Sequence, residues 1–140
     1  MDSYSYGSDM AVAALGAGFY LVALIVALIC AIIGIIAMWK IFSKAGEAGW
    51  KSLIPIYNGF VLSKIIFGSY WWGLGLFVGL IPVVGAFLEL FYAIMIAVRL
   101  SKVFGYGIGM ILLNIFIPAV GVLWIAFANN SYDESEAKFF

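Results

Sequence analysis

The sequence contains no histidine, one cysteine and three prolines, and only 10% of its 140 residues are charged. Without histidine it lacks the commonest metal ligand and the commonest acid–base catalyst. A lone Cys30 forms neither an internal disulfide nor a thiolate cluster. Seven basic and seven acidic residues cancel, so no positive field is available to hold a nucleic acid. What remains is apolar: 66% of the chain is hydrophobic and 18% aromatic. Soluble domains are roughly 45–50% apolar and about 25% charged. A water-soluble fold of this size has too much surface to hide that excess. The predicted class is therefore all-α, a polytopic integral membrane protein.

Four transmembrane helices are expected, at 11–39, 70–81, 83–104 and 108–128. The first is free of charge and exceeds the ~20 residues that cross a bilayer core. It is too long, and its leader 1–10 too acidic, for a cleaved signal peptide. Residues 40–69 form a polar hinge carrying Lys40, Lys44, Lys51 and Lys64 against Glu47. Its glycines and Pro55 divide it into short interfacial helices, with Asn58 as a cap for a second piece over 59–67. The stretch from Tyr70 to Val98 is read as two crossings with a turn at Ile81–Gly85, because Arg99 and Lys102 then share a side with the hinge lysines. One crossing there, giving three spans, is the alternative. The last span contains Asn114 and is kinked at Pro118, and residues 129–140 form an acidic tail. The positive-inside rule puts the basic loops in the cytoplasm and both termini outside a plasma (inner) membrane.

Ile-Pro recurs at Ile54–Pro55, Ile81–Pro82 and Ile117–Pro118, and the last two share the pattern I-P-x-V-G. Such echoes accompany repeats and broken helices in transporters, and also arise by chance in chains rich in Ile, Val and Gly.

The most specific string is Lys44-Ala45-Gly46-Glu47-Ala48-Gly49-Trp50-Lys51-Ser52-Leu53-Ile54-Pro55-Ile56-Tyr57-Asn58. With Tyr70-Trp71-Trp72, Ile81-Pro82 and Phe104-Gly105 it resembles a family of small prokaryotic multi-pass membrane proteins of unknown function. The shared pattern is K-A-G-x-x-G-W-x-x-x-I-P-x-Y-N, and some members carry a signal peptidase I label. The resemblance covers roughly Trp39 to Trp124 and implies a membrane fold but no activity. A peptidase of that kind needs a serine nucleophile and a lysine base. Ser43–Lys44, Ser63–Lys64 and Ser101–Lys102 are adjacent pairs, which do not face each other on a helix. Gly105, Gly107 and Gly109 do not match a phosphate-binding G-x-G-x-x-G.

The residues thus point to a non-enzymatic accessory or structural subunit, partnered by lipids and by other membrane subunits or itself. No cofactor or metal is expected. The alternative is a small channel or transporter using Glu89, the one acid deep in a span. The favoured reading of Glu89 is a structural group bonded to a turn amide, to Ser69 or Tyr70, or to a neighbouring subunit. Asn114 reads as a helix–helix hydrogen bond. Gly75 and Gly79, with Ala14 and Gly18, are the small-residue pairs expected at close helix contacts. In the hinge, Lys44, Gly46, Gly49, Trp50, Lys51, Pro55, Tyr57 and Asn58 are expected to be architectural, with Gly46 and Gly49 on one helix face.

Overall fold

The structure, a computed structural model, describes residues 2–137, and the terminal Phe139–Phe140 and Lys138 lie outside the described residues. All its regular elements among those residues are helical. They are α1 (Asp2–Lys44), a short 3-10 helix (Gly49–Leu53), α2 (Tyr57–Phe67), a long 3-10 helix (Tyr70–Leu80), α3 (Val84–Val103), α4 (Ile108–Phe116), α5 (Pro118–Phe127) and α6 (Glu134–Ala137). Two of them, α1 and α3, are long and apolar enough to cross a membrane.

Two compact units divide at Ile33/Gly34. The first is the N-terminal part of α1. From Tyr6 onwards its side chains are almost all exposed, Leu15 and Phe19 by about three quarters. Ala14 and Gly18 stand exposed too, and Gly18 has nothing within 4 Å of its Cβ position, so the small-residue pair expected there meets no element of its unit.

The second unit is a stack of hairpins whose turns are the Ile-Pro sites. Glycines in the left-handed conformation stop α1, α2 and α3, at Gly46, Gly68 and Gly105, whereas α5 ends at Ala128. Gly46 and Gly105 take φ of +77° and +74°. The amides after them then reach back to Phe42 and Ser101 carbonyls at 2.9 Å, closing α1 and α3 in Schellman turns. The chain folds back so closely after α1 that a Cβ on Gly49 would sit 2.2 Å from the Trp39 indole. Gly49 thus serves the close approach expected of it. Gly46 does not share its helix face, because it lies in the left-handed cap.

At Ile54-Pro55-Ile56 the chain reverses into α2, and at Ile81-Pro82-Val83 the long 3-10 helix reverses into α3. The two turns have the same backbone. Ile56 and Val83 adopt φ of 54° and 62°, rare for β-branched residues. The Ile54 and Ile81 carbonyls each accept from the amide four residues on, Asn58 and Gly85, at 2.9 Å. Val84 N–H also donates to Pro82 O at 2.7 Å, which marks the second reversal as a γ-turn. The repeated dipeptide is therefore a repeated device. Asn58 does not cap α2. It lies in the first turn, and its Nδ2 donates to Ser52 O at 3.1 Å across the reversal.

Residues 70–80 form a 3-10 helix rather than the expected α-helix. At about 2.0 Å per residue its 11 residues reach about 22 Å, against about 17 Å in an α-helix. The tighter winding gives this short segment a longer reach alongside α3. Gly73 admits Phe60 of α2, and Gly75 admits the Tyr92 ring of α3, each Cβ position lying within 2.6 Å of the ring. Gly79 faces Glu89. The Gly75/Gly79 contact expected from sequence is thus an internal seam.

The expected fourth span is corrected. Residues 108–128 do not run through as one kinked helix; they fold back at Ile117. Asn114 lies over Gly121, whose Cβ would be 2.2 Å from Oδ1. Asn130, just past α5, donates to the Tyr106 hydroxyl just before α4, at 3.0 Å. Pro118 occupies the first turn of α5, where its missing N–H costs nothing, so it starts a new helix instead of bending an old one. At about 1.5 Å per residue, α4 and α5 reach only about 13 and 15 Å, about half a bilayer core.

The core follows from this arrangement. Ile41, Phe42, Val61, Ile66, Phe67, Val103 and Ile125 are fully or almost fully buried, all towards the end where the helices begin and finish. The hairpin tips are apolar and bare: Leu80 is 78% exposed, Phe87 74% and Phe116 80%.

Candidate functional site: the polar end of the hairpins

Glu47 is the hub of this end. Its carboxylate accepts from Lys51 at 2.5 Å and from Lys64, and so ties the hinge to α2. Lys64 also lies 5.2 Å from the Tyr70 ring centroid. Hydrogen bonds from Lys51 and then Lys64 hold the Glu47 carboxyl below the usual carboxylate range. The same bonds push both lysines up. Asp133 is held low by the Ser135 hydroxyl and amide, at 2.6 and 2.9 Å.

The signs define a pH window. Glu47 stabilises the fold above the ordinary carboxylate range, and that contribution is lost as pH falls through its depressed folded value. Lys51 and Lys64 stabilise below the ordinary lysine range, and theirs is lost as pH rises through their raised folded values. The thermal midpoint in detergent should therefore be highest between those limits and fall on both sides. Glu47→Gln should lower the plateau and flatten part of the acid limb. An unchanged acid limb in that variant would remove Glu47 from this role.

Lys44 binds the opposite segment. Its ammonium donates to the carbonyls of Ile125 at 2.6 Å and Ala128 at 2.8 Å, and to Asn130 Oδ1. A cation at the C-terminus of α5 also meets the negative end of the helix dipole. Lys40 lies 4.2 Å from the Phe127 ring centroid, and Arg99 donates to the carbonyls of Ile66 and Ala137, both at 3.3 Å. Tyr132 donates to Ile65 O at 2.8 Å, and Asp133 N–H to Val103 O at 2.7 Å. The tail therefore straps the hinge, α2 and α3 together. This corrects the expectation that the tail lies on the face opposite the basic loops: both are at one end of the unit.

Between hinge, α2 and tail lies a cavity of about 490 Å³, bordered by Lys44, Glu47, Lys64, Tyr132 and Glu134. Its cations already hold protein acceptors. Among the described residues no three of His, Cys, Asp and Glu come together. The adjacent Ser–Lys pairs diverge. Ser63 and Ser101 hydroxyls donate to carbonyls four residues earlier, Gly59 and Ala97, at 2.8 and 2.9 Å. The Lys64 ammonium is on Glu47 instead.

Within the apolar zone, Asn114 is buried and its Nδ2 donates to Ser101 Oγ at 2.9 Å, joining α4 to α3 as expected. Glu89 is half-buried. Its Oε2 has no hydrogen-bond partner, so the expected bond to a turn amide, Ser69 or Tyr70 is not formed by that oxygen. Tyr92 is a polar centre that the sequence did not single out. Its hydroxyl donates to Trp72 O at 2.5 Å and lies 3.2 Å from Ser63 Oγ, locking α3 to both neighbours. Arg99, Asn130 and Tyr132 were also missed as fasteners, since their partners are far away in sequence. In the hinge, Trp50, Pro55 and Tyr57 are exposed, and Gly46, Lys51 and Asn58 serve the local turns and ion pairs already described.

No curated protein and no solved structure matches the chain. A sequence profile does match residues 50–135, which takes in all three Ile-Pro turns, the polar fasteners from Lys51 onwards and most of the tail. The chain belongs to a family of unknown function (DUF5684).

Proposed function

We propose that this is a non-enzymatic multi-pass membrane protein that works by packing: a small accessory or structural subunit of a larger membrane assembly, or of a homo-oligomer. The observation that carries the reading is where its polarity is spent. Lys44, Glu47, Lys51, Lys64, Arg99 and Asn114 all hold protein groups. The tips and flanks, by contrast, present bare aromatic and aliphatic side chains. Soluble monomers rarely expose such patches. Lipid and partner helices are the surroundings that satisfy them.

The accompanying topology differs from four simple spans. In it, α1 crosses the membrane and the hairpins enter from the polar end. That end, with hinge and tail, faces the cytoplasm of a plasma (inner) membrane, as its lysines favour. Backbone at the Ile-Pro tips is tolerated in the apolar phase because each reversal makes its own hydrogen bonds. The test is native mass measurement after extraction in a gentle detergent. Particles heavier than one 15.2 kDa chain plus micelle support the reading. A chain that is monomeric by this measure and by cross-linking in intact membranes overturns it.

A further inference from the structure

Lys40 and Lys44 stand four residues apart on α1, and like charges at that spacing repel. Among the described residues no carboxylate accepts from either. Lys44 gives its donors to neutral groups, the Ile125 and Ala128 carbonyls and Asn130 Oδ1. Glu47 is taken by Lys51 and Lys64. Lys40 is exposed, with its ammonium 4.2 Å from the Phe127 ring centroid. The ring attracts the charge but leaves N–H donors free for an anion.

Both lysines touch the lining of one apolar groove of about 550 Å³, formed by Val120, Leu123, Trp124, Phe127 and Ala128. Lys40 lies on the Phe127 ring and Lys44 donates to Ala128 O at 2.8 Å. Val120, Leu123, Trp124 and Phe127 are three and four residues apart, one face of α5. That face runs about 10 Å inward from the polar end, within the ~15 Å of one leaflet. Trp124 and Phe127 are both more than half exposed. Resting on the reading of this end as the membrane surface, we propose that the groove and Lys40 form a binding site for an anionic phospholipid. One acyl chain lies along Val120, Leu123 and Trp124, and the phosphate takes the Lys40 ammonium. Charge complementarity selects the occupant: the groove is apolar, and two ammonium groups without an acid stand at its surface end. A neutral lipid or an uncharged helix would fill the groove and leave that charge unmatched.

The test uses the full chain, extracted from cell membranes in a gentle detergent and weighed with its retained ligands by native mass spectrometry. Phosphatidylglycerol and phosphatidylcholine of identical acyl chains are then titrated in. The first phosphatidylglycerol should bind about fivefold more tightly than phosphatidylcholine, the worth of one lysine beside an anionic headgroup. Lys40→Gln should abolish that preference, Lys40→Arg should keep it, and Trp124→Ala should weaken binding of both lipids. Lys102→Gln, which removes another exposed base of this end, should leave the preference unchanged. Equal binding of the two lipids to the wild-type chain overturns the proposal. So does equal loss in Lys40→Gln and Lys102→Gln, which would mean a diffuse surface charge. A retained protein chain that Trp124→Ala releases, with no lipid in its place, assigns the groove to a helix and overturns it too. A monomeric particle that keeps the Lys40-dependent preference supports the lipid site while the subunit reading falls. A heavier particle without the preference overturns the lipid site and leaves the subunit reading standing.

Discussion

Gly85→Val should prevent the chain from folding, or cost at least about 3 kcal/mol, the upper range for forcing extra atoms into a packed site. A Cβ at this position would lie 2.4 Å from the carbonyl oxygen of Val78 and 3.2 Å from the Cβ of Ile81. The first of these atoms is backbone, so no rotamer change relieves the contact. Gly85 N–H also closes the reversal on Ile81 O. The hairpin of the long 3-10 helix and α3 would have to open, taking with it the Tyr92 contacts to Ser63 and Trp72. Gly107→Ala is the control, since nothing lies within 4 Å of that position. Monodisperse yield in detergent and the thermal midpoint should collapse for the first variant and hold for the second. Equal behaviour of the two would show that the turn is not built as described.

Lys44→Met should free the tail. The variant keeps the aliphatic stem but loses all three donors, and hydrogen bonds to charged groups are worth about 1.5–3 kcal/mol each before relaxation. Ile125 O and Ala128 O retain weaker partners in Asn130 Nδ2 and its backbone amide, at 3.1 and 3.0 Å. The net loss should therefore be about 2–3 kcal/mol rather than the full sum. The readout is limited proteolysis. The segment after Ala128 should become sensitive in Lys44→Met, with Lys44→Arg intermediate. A tail that stays protected would mean that Tyr132, Asp133 and Arg99 hold it unaided.

Much of this architecture is legible from short-range chemistry. The run from Ala11 to Trp39 demands a long apolar helix, and Phe104–Gly105 ends one. Pro82 with Gly85 announces a reversal, because proline withholds a donor and glycine accepts a close neighbour. Other features depend on contacts that no local pattern reports. Tyr70–Leu80 has enough apolar residues for either winding; the 3-10 form brings Gly75 and Gly79 against α3. Pro118 suits a kink and a helix start equally, and Asn114 over Gly121 with Asn130 on Tyr106 decides for the start. The charge count sends the tail to the far face. Lys44, 86 residues from Asn130, brings it back. The polar end is likewise half-visible: Glu47 and the lysines stand out as charges and Lys51 is four residues from Glu47, but the Lys64–Glu47 pair follows only from folding α2 back onto the hinge.

The return of the tail is the central structural claim, and site-directed labelling tests it most directly. Single cysteines replace Asp9, Lys102 and Ser135, all exposed, in a Cys30→Ser background. A membrane-impermeant maleimide is then applied to intact cells and to inverted vesicles. Lys102→Cys and Ser135→Cys should label together from the cytoplasmic face and Asp9→Cys from the opposite one. Labelling of Ser135→Cys from outside, together with Asp9→Cys, would mean that residues 108–128 cross the membrane, and would contradict the fold-back at Ile117–Pro118.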